Sequence, residues 1–225
     1  MKTVSFITSA LRRVCLQGFI LAGLSVASVS GLQAAVTSNQ TGTNNGFYYS
    51  YWRSGGSATM NLGSSGNYSL TWSGGNVVAG KGWNPGSART VGYNCGVWSP
   101  SGWARLAVYG WTTSPLIEYY VIEKWSGSGN APGGTNVGTV TSDGATYTIW
   151  KHQQVSQPSI QGTQTFWQYI SVRNSQNSTG ANHSVTMGNH FNAWKSKIGS
   201  MGAHNYMILA TEGYNGSGSC NVTVW

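Results

Sequence analysis

Charged side chains make up only 7% of this 225-residue chain, and only four of them are acidic. The twelve Lys and Arg are scattered, which excludes the clustered basic face of a nucleic-acid binder. Histidine and cysteine are also few: four His and three Cys, dispersed along the chain, make no metal-ligand set. The apolar run Phe19–Ala27 is too short to span a membrane. Neither a phosphate loop nor a serine nucleophile elbow occurs.

Ser, Thr, Asn, Gln and Gly take the place of charge. Such a composition can mean disorder, but 12% aromatic residues supply ample core and contact area. Lys2, Arg12 and Arg13 precede Phe19–Ala27, and small residues follow to Ala34-Ala35. That order reads as a secretory signal peptide over residues 1–34, with Arg12-Arg13 a weak twin-arginine signal. Residues 35–225 then read as one domain, secreted and extracellular. Cys15 leaves with the leader. Cys95 and Cys220 remain, and an even pair in an exported chain favours a disulfide over two buried thiols.

Short aromatic and β-branched segments alternate with Gly- and Asn-rich turns from Phe47 to Trp111. This is the pattern of a β-sandwich or barrel. Strands are also predicted over 145–154, 165–173, 206–212 and 220–225. The Val155–Gln164 segment between two of them is too long for a tight turn and carries an exposed Ile160. One stretch has helical spacing: Phe191, Trp194 and Ile198, with Asn189 as a candidate cap and Gly199 as a stop. His190 within it reads as a structural hydrogen-bonder.

The chemistry concentrates in two strands. In Ser114–Glu123 the alternation of faces puts Leu116, Glu118, Tyr120 and Ile122 on one side and Ile117, Tyr119 and Val121 on the other. A carboxylate in so apolar a strand is expensive unless paired or used. Tyr206–Tyr214 repeats the pattern, with Glu212 ending an apolar run and Tyr214 two residues on. The other acids, Glu123 and Asp143, sit at a strand end and in a Ser-Asp-Gly turn, where solvated structural roles suffice. Two carboxylates facing one another in an aromatic cleft are the machinery of glycoside hydrolysis. The aromatic rings would stack on sugars.

Ser114–Tyr120 and Ala210–Tyr214 resemble the two signature motifs of glycoside hydrolase family 11, the β-jelly-roll endo-β-1,4-xylanases. Val78–Trp83, Tyr109–Thr112, Pro158–Ile160, Asn189–Lys195 and Asn221–Trp225 extend the resemblance over nearly all of residues 35–225. The resemblance implies an all-β jelly-roll sandwich of two twisted antiparallel sheets with one short α-helix. Val155–Gln164 becomes a thumb over the cleft. The activity implied is retaining hydrolysis of internal β-1,4 bonds of xylan by a monomer without a cofactor, a nucleic-acid partner or, once the leader is cleaved, a membrane. By matching position Glu118 is the nucleophile and Glu212 the acid/base. Trp52, Tyr109, Tyr120, Gln168, Tyr206 and Tyr214 would line the cleft, Pro158, Ser159 and Ile160 would touch substrate from the thumb, and Asn76 would hydrogen-bond Glu212.

Three positions depart from the family pattern: Gln154 where an Arg is common, Ile170 in place of an aromatic residue, and Arg105 where many members carry an aromatic ring. Two other readings stay open at this point. One is a non-catalytic polysaccharide-binding jelly-roll module, which has no use for two buried glutamates. The other is a β-1,4-glucanase of the same architecture.

Overall fold

The computed structural model describes Met1 and residues 34–225. The expected leader, with Cys15, lies outside the described residues apart from Met1 and Ala34. The strands run in chain order as β1 (Ala34–Val36), β2 (Gln40–Asn44), β3 (Phe47–Ser54), β4 (Ser57–Leu62), β5 (Asn67–Ser73), β6 (Asn76–Trp83) and β7 (Thr90–Thr113). They continue as β8 (Ile117–Ser126), β9 (Thr135–Ser142), β10 (Ala145–Ser159), β11 (Gly162–Arg173) and β12 (Asn182–Thr186), then helix α1 (Met187–Lys197) and β13 (Ala203–Val224).

Two long strands organise the rest. Tyr93–Ser101 of β7 pairs with the C-terminal half of β13, and Trp103–Thr113 with its N-terminal half; the register breaks between Tyr214 and Ser217. The C-terminal half of β13 continues through β5 and β4 to β1, while β12 borders β7. The N-terminal half of β13 continues through β6 and β3 to β2, and β7 continues through β8, β11 and β10 to β9. The chain thus folds as the expected jelly-roll sandwich, its two layers sharing β7 and β13. Every pairing is antiparallel except β8 with β11, which is parallel.

Alternation decides which side chains go where. Ile117, Tyr119 and Val121 join the large core between the layers. Tyr120 and Ile122 join a second apolar cluster on the concave face. A one-residue slip of β8 would exchange the two sets and bury Glu118 in the core, so the apolar pattern fixes the register. Gly80 and Gly82 explain why the Val78–Trp83 motif alternates with glycine. A Cβ at either position would collide with the Leu209 or Met207 carbonyl of β13, so only glycine lets those strands approach.

The helix starts earlier than its apolar spacing predicts. Thr186, not Asn189, occupies the N-cap position, where Asp143 accepts hydrogen bonds from its backbone N–H at 2.8 Å and its hydroxyl at 2.7 Å. Phe191 and Trp194 then pack on Tyr119, ring centroids 5.3 and 5.9 Å away. That contact ties the helix to the strand carrying Glu118.

Two expectations fail. Cys95 and Cys220 are buried free thiols, not a disulfide. Cys95 lies opposite Val222, and Cys220 opposite Trp98, so the pair is diagonal across the ladder. Diagonal neighbours lie farther apart than the roughly 3.5–4.5 Å between Cβ atoms that a bridge requires. Each thiol has another partner: Cys95 donates to the Val97 carbonyl, and Cys220 shares a hydrogen bond with Thr211. Glu123, expected at a solvated strand end, is fully buried.

Candidate active site

The concave face of the larger layer encloses a cleft of about 710 Å³, a volume typical of ligand sites. All twelve residues singled out in the sequence line it: Glu118, Glu212, Trp52, Asn76, Tyr109, Tyr120, Pro158, Ser159, Ile160, Gln168, Tyr206 and Tyr214. Strand register brings them together. Trp111 and Tyr109 of β7 stand opposite Glu118 and Tyr120 of β8. Gln168 of β11 stands beside Glu118, and Arg105 of β7 stands opposite Glu212 of β13.

Glu118 accepts three hydrogen bonds. Tyr109 and Tyr120 donate to Oε1 at 2.8 and 3.0 Å, and Gln168 Nε2 donates to Oε2 at 2.6 Å. Trp111 Nε1 donates to the Tyr109 hydroxyl oxygen at 2.8 Å, which leaves the Tyr109 hydrogen for Glu118. Gln154 Nε2 donates to Gln168 Oε1 at 3.1 Å, so the Gln168 amide presents its NH₂ to the carboxylate. Burial pushes the Glu118 pKa up to about 6, because desolvation disfavours the charged form. Donation from Gln168 lowers it, the nearby Glu212 raises it, and donation from Tyr109 and Tyr120 lowers it.

Glu212 is held differently. Asn76, its expected partner, pairs in register with Tyr214, and its buried Oδ1 has no hydrogen-bond partner. The bond to Glu212 comes from Arg105 instead, Nε to Oε2 at 2.8 Å. Both side chains are about nine-tenths buried.

The Val155–Gln164 segment is not a long loop. β10 and β11 carry the ladder out to Ser159 opposite Gly162, with a bulge between Gln154 and Gln157. Only Ile160 and Gln161 form the tip. The Ser159 hydroxyl closes it, donating to the Gly162 carbonyl and accepting from the Gln161 N–H at 2.7 and 3.0 Å. Ile160 is half-buried against the concave apolar cluster rather than exposed. The hairpin thus overhangs the cleft with Pro158, Ser159 and Ile160 turned toward it.

Two carboxylates, one cradled by neutral donors and one by a cation, face each other in a cleft walled by Tyr and Trp. The sequence model of glycosyl hydrolases family 11 matches residues 44–223. The chain belongs to glycosyl hydrolases family 11. It is 55% identical over 190 residues to ethylene-inducing xylanase 1 of Botryotinia fuckeliana, an alignment covering 84% of this chain and 66% of that protein. It is 52% identical over 193 residues to endo-1,4-beta-xylanase 2 of Rhizopus oryzae, 84% and 87% of the two chains. A third relative is endo-1,4-beta-xylanase Xyn11B of Cellvibrio japonicus, 50% identical over 211 residues, 90% of this chain and 58% of that protein. The chain therefore spans about two thirds of the first relative's length, most of the second's and just over half of the third's.

Within this family 11 cleft, three further residues contribute. Trp111 acts one step back from Glu118, and nothing in the order of residues marks such a relay. Gln154 and Arg105 are visible in the sequence as departures from the family pattern, but their contacts with Gln168 and Glu212 follow only from the strand register.

Proposed function

We propose that this chain is a secreted, monomeric, retaining endo-β-1,4-xylanase whose catalytic unit is residues 35–225, acting on xylan without a cofactor. The observation that carries the reading is the pairing of Glu118 and Glu212 in one aromatic cleft of the family 11 fold. The names of its relatives support xylan as the substrate.

In the first step a Glu118 oxygen attacks the anomeric carbon. The bond to the leaving oxygen breaks, and Glu212 gives that oxygen its proton. The product is a xylosyl ester of Glu118. In the second step Glu212, now ionised, takes a proton from water. The water oxygen attacks the anomeric carbon and Glu118 leaves as a carboxylate. Two inversions give net retention. Tyr109, Tyr120 and Gln168 steady the nucleophile's charge before and after the ester exists. Trp52, Tyr206 and Tyr214 offer faces for sugar rings. Pro158, Ser159 and Ile160 close over the chain from the thumb.

Parallel reducing-sugar assays on xylan and carboxymethyl cellulose test the substrate. Release from xylan with little from the cellulose derivative is expected. Dominant activity on the latter would replace the reading with a glucanase, and inactivity on both would leave a binding module. In a proton NMR time course the β-anomer should appear first.

The pH dependence follows from Glu118. The nucleophile works as the carboxylate, so kcat/KM should fall as pH drops through about 6, approaching tenfold per unit below it. An acid limb near 4 would contradict the burial argument.

A further inference from the structure

Among the described residues Arg105 is the one cation in contact with the acid/base carboxyl, and it lies on the strand between the two glutamates. Its guanidinium is clamped: the carbon at its centre sits 4.6 Å from the Trp103 ring centroid and 4.4 Å from that of Tyr120. Stacking of this kind fixes the plane of the group and therefore the direction of Nε–H. That direction is toward Glu212 Oε2 at 2.8 Å. Asn76 cannot share the task, since its amide makes no bond to Glu212 and its Oδ1 is left alone.

We propose that Arg105 is the positioning residue for Glu212: it pins Oε2 and leaves Oε1 to carry the transferable proton. This rests on the reading of Glu212 as acid/base. The other titratable groups that share the cleft are Glu118 and Tyr120 from β8, Tyr109 from β7, Tyr51 from β3, and Tyr206 and Tyr214 from β13. Val78 of β6 stands opposite Glu212 in register, with Trp52 of β3 opposite Val78. Burial costs the guanidinium solvation, but the Glu212 carboxylate beside it, the Tyr120 oxygen and the Glu118 carboxylate more than offset this and hold the Arg105 pKa above its usual value. Arg105 therefore stays charged throughout the working range.

The first step needs Glu212 to hand a proton to the leaving oxygen, and the second needs it to take one from water. A carboxyl pinned at Oε2 presents Oε1 in one orientation for both transfers, and misplacement of such a group is costly in rate.

The test compares kcat and KM on xylan with kcat/KM on an aryl xylobioside whose phenol leaves without a proton, for wild type, Arg105→Met, Arg105→Gln and Arg105→Lys, with Glu212→Gln alongside. In Arg105→Met and Arg105→Gln kcat on xylan should fall by about tenfold or more, with KM within about threefold of wild type and the aryl substrate within about threefold, because a misplaced acid matters only where the leaving oxygen needs its proton. Arg105→Lys keeps a cationic donor but loses the planar stack, so it should recover part of the loss. If Arg105→Met does not fold, Arg105→Gln is the variant read. A kcat on xylan within about twofold of wild type in Arg105→Gln, or an equal loss on both substrates, while Glu212→Gln is inactive on xylan, would overturn this inference and leave the catalytic assignment standing. Activity of Glu212→Gln on xylan would overturn that assignment itself.

Discussion

Glu118→Gln and Glu212→Gln should each lower xylan hydrolysis by at least about 10²-fold while the protein stays folded. Glu118→Gln removes the nucleophile's charge, and an amide cannot form the ester. Tyr109 and Tyr120 can still donate to the remaining oxygen, but the new NH₂ meets Gln168 Nε2, whose orientation Gln154 fixes. Loss of a desolvated charge offsets that mismatch, so little stability should change. Glu212→Gln keeps an oxygen for Arg105 Nε and loses only the proton. The two variants should therefore differ in one respect. With an aryl xylobioside whose phenol leaves readily, Glu212→Gln should recover much of the first step, whereas Glu118→Gln should recover nothing. Retention of more than about a tenth of the wild-type rate on xylan by both purified variants would sink the assignment.

Glu123→Ala should be the most destabilising substitution of an acid in residues 34–225, and it should spare catalysis at low temperature. Glu123 points away from the cleft, one position out of phase with Glu118, Tyr120 and Ile122. Tyr147 and Tyr93 donate to its oxygens at 2.7 and 3.0 Å, Asn177 Nδ2 donates at 2.5 Å, and Arg173 Nε lies 3.9 Å away. Removing the acceptor strands these donors in the core, which typically costs about 3–5 kcal/mol for a buried network of this kind. At roughly 2–4 °C per kcal/mol for a domain of this size, Tm should fall by roughly 6–20 °C in a thermal melt. A change under about 2 °C would contradict the network's importance.

The same group makes stability depend on pH. Burial pushes the Glu123 pKa up to about 7, against the pull of its Tyr147, Tyr93 and Arg173 partners. A carboxyl raised in the folded state contributes stability below its unfolded pKa, and loses that contribution as pH rises through the folded value. Between about pH 4.3, where an unfolded Glu titrates, and 7, this term should erode wild-type Tm. Glu123→Gln should flatten that part of the curve.

The period-2 alternation around Glu118 and Glu212 was legible because each strand states its own two faces. The same alternation placed Tyr120 and Ile122 on the concave side and Tyr119 in the core. Contacts set by register were not legible. Arg105 meets Glu212 across 107 positions of sequence, and no local pattern reports which residue will stand opposite. Glu123 misled for a related reason. Polar Lys124 and Ser126 follow it, and its burial comes from Tyr93, Tyr147 and Asn177, all distant in sequence. Val155–Gln164 reads as a loop because it is too long for a tight turn, yet the ladder bulges at Gln154–Gln157 and runs on through Pro158. For the cysteines, pairing by number ignored where the ladder put each Cα.

The account's central claim is that Glu118 forms a covalent bond to the sugar. A 2-deoxy-2-fluoro-xylobioside with a good leaving group should glycosylate the nucleophile, and its fluorine should slow hydrolysis of the ester enough to trap it. Digestion and tandem mass spectrometry then locate the added sugar. One fluoroxylobiosyl group per chain, on Glu118 and absent from Glu118→Gln, is the expected result. A label on Glu212 or on any other side chain would contradict the account.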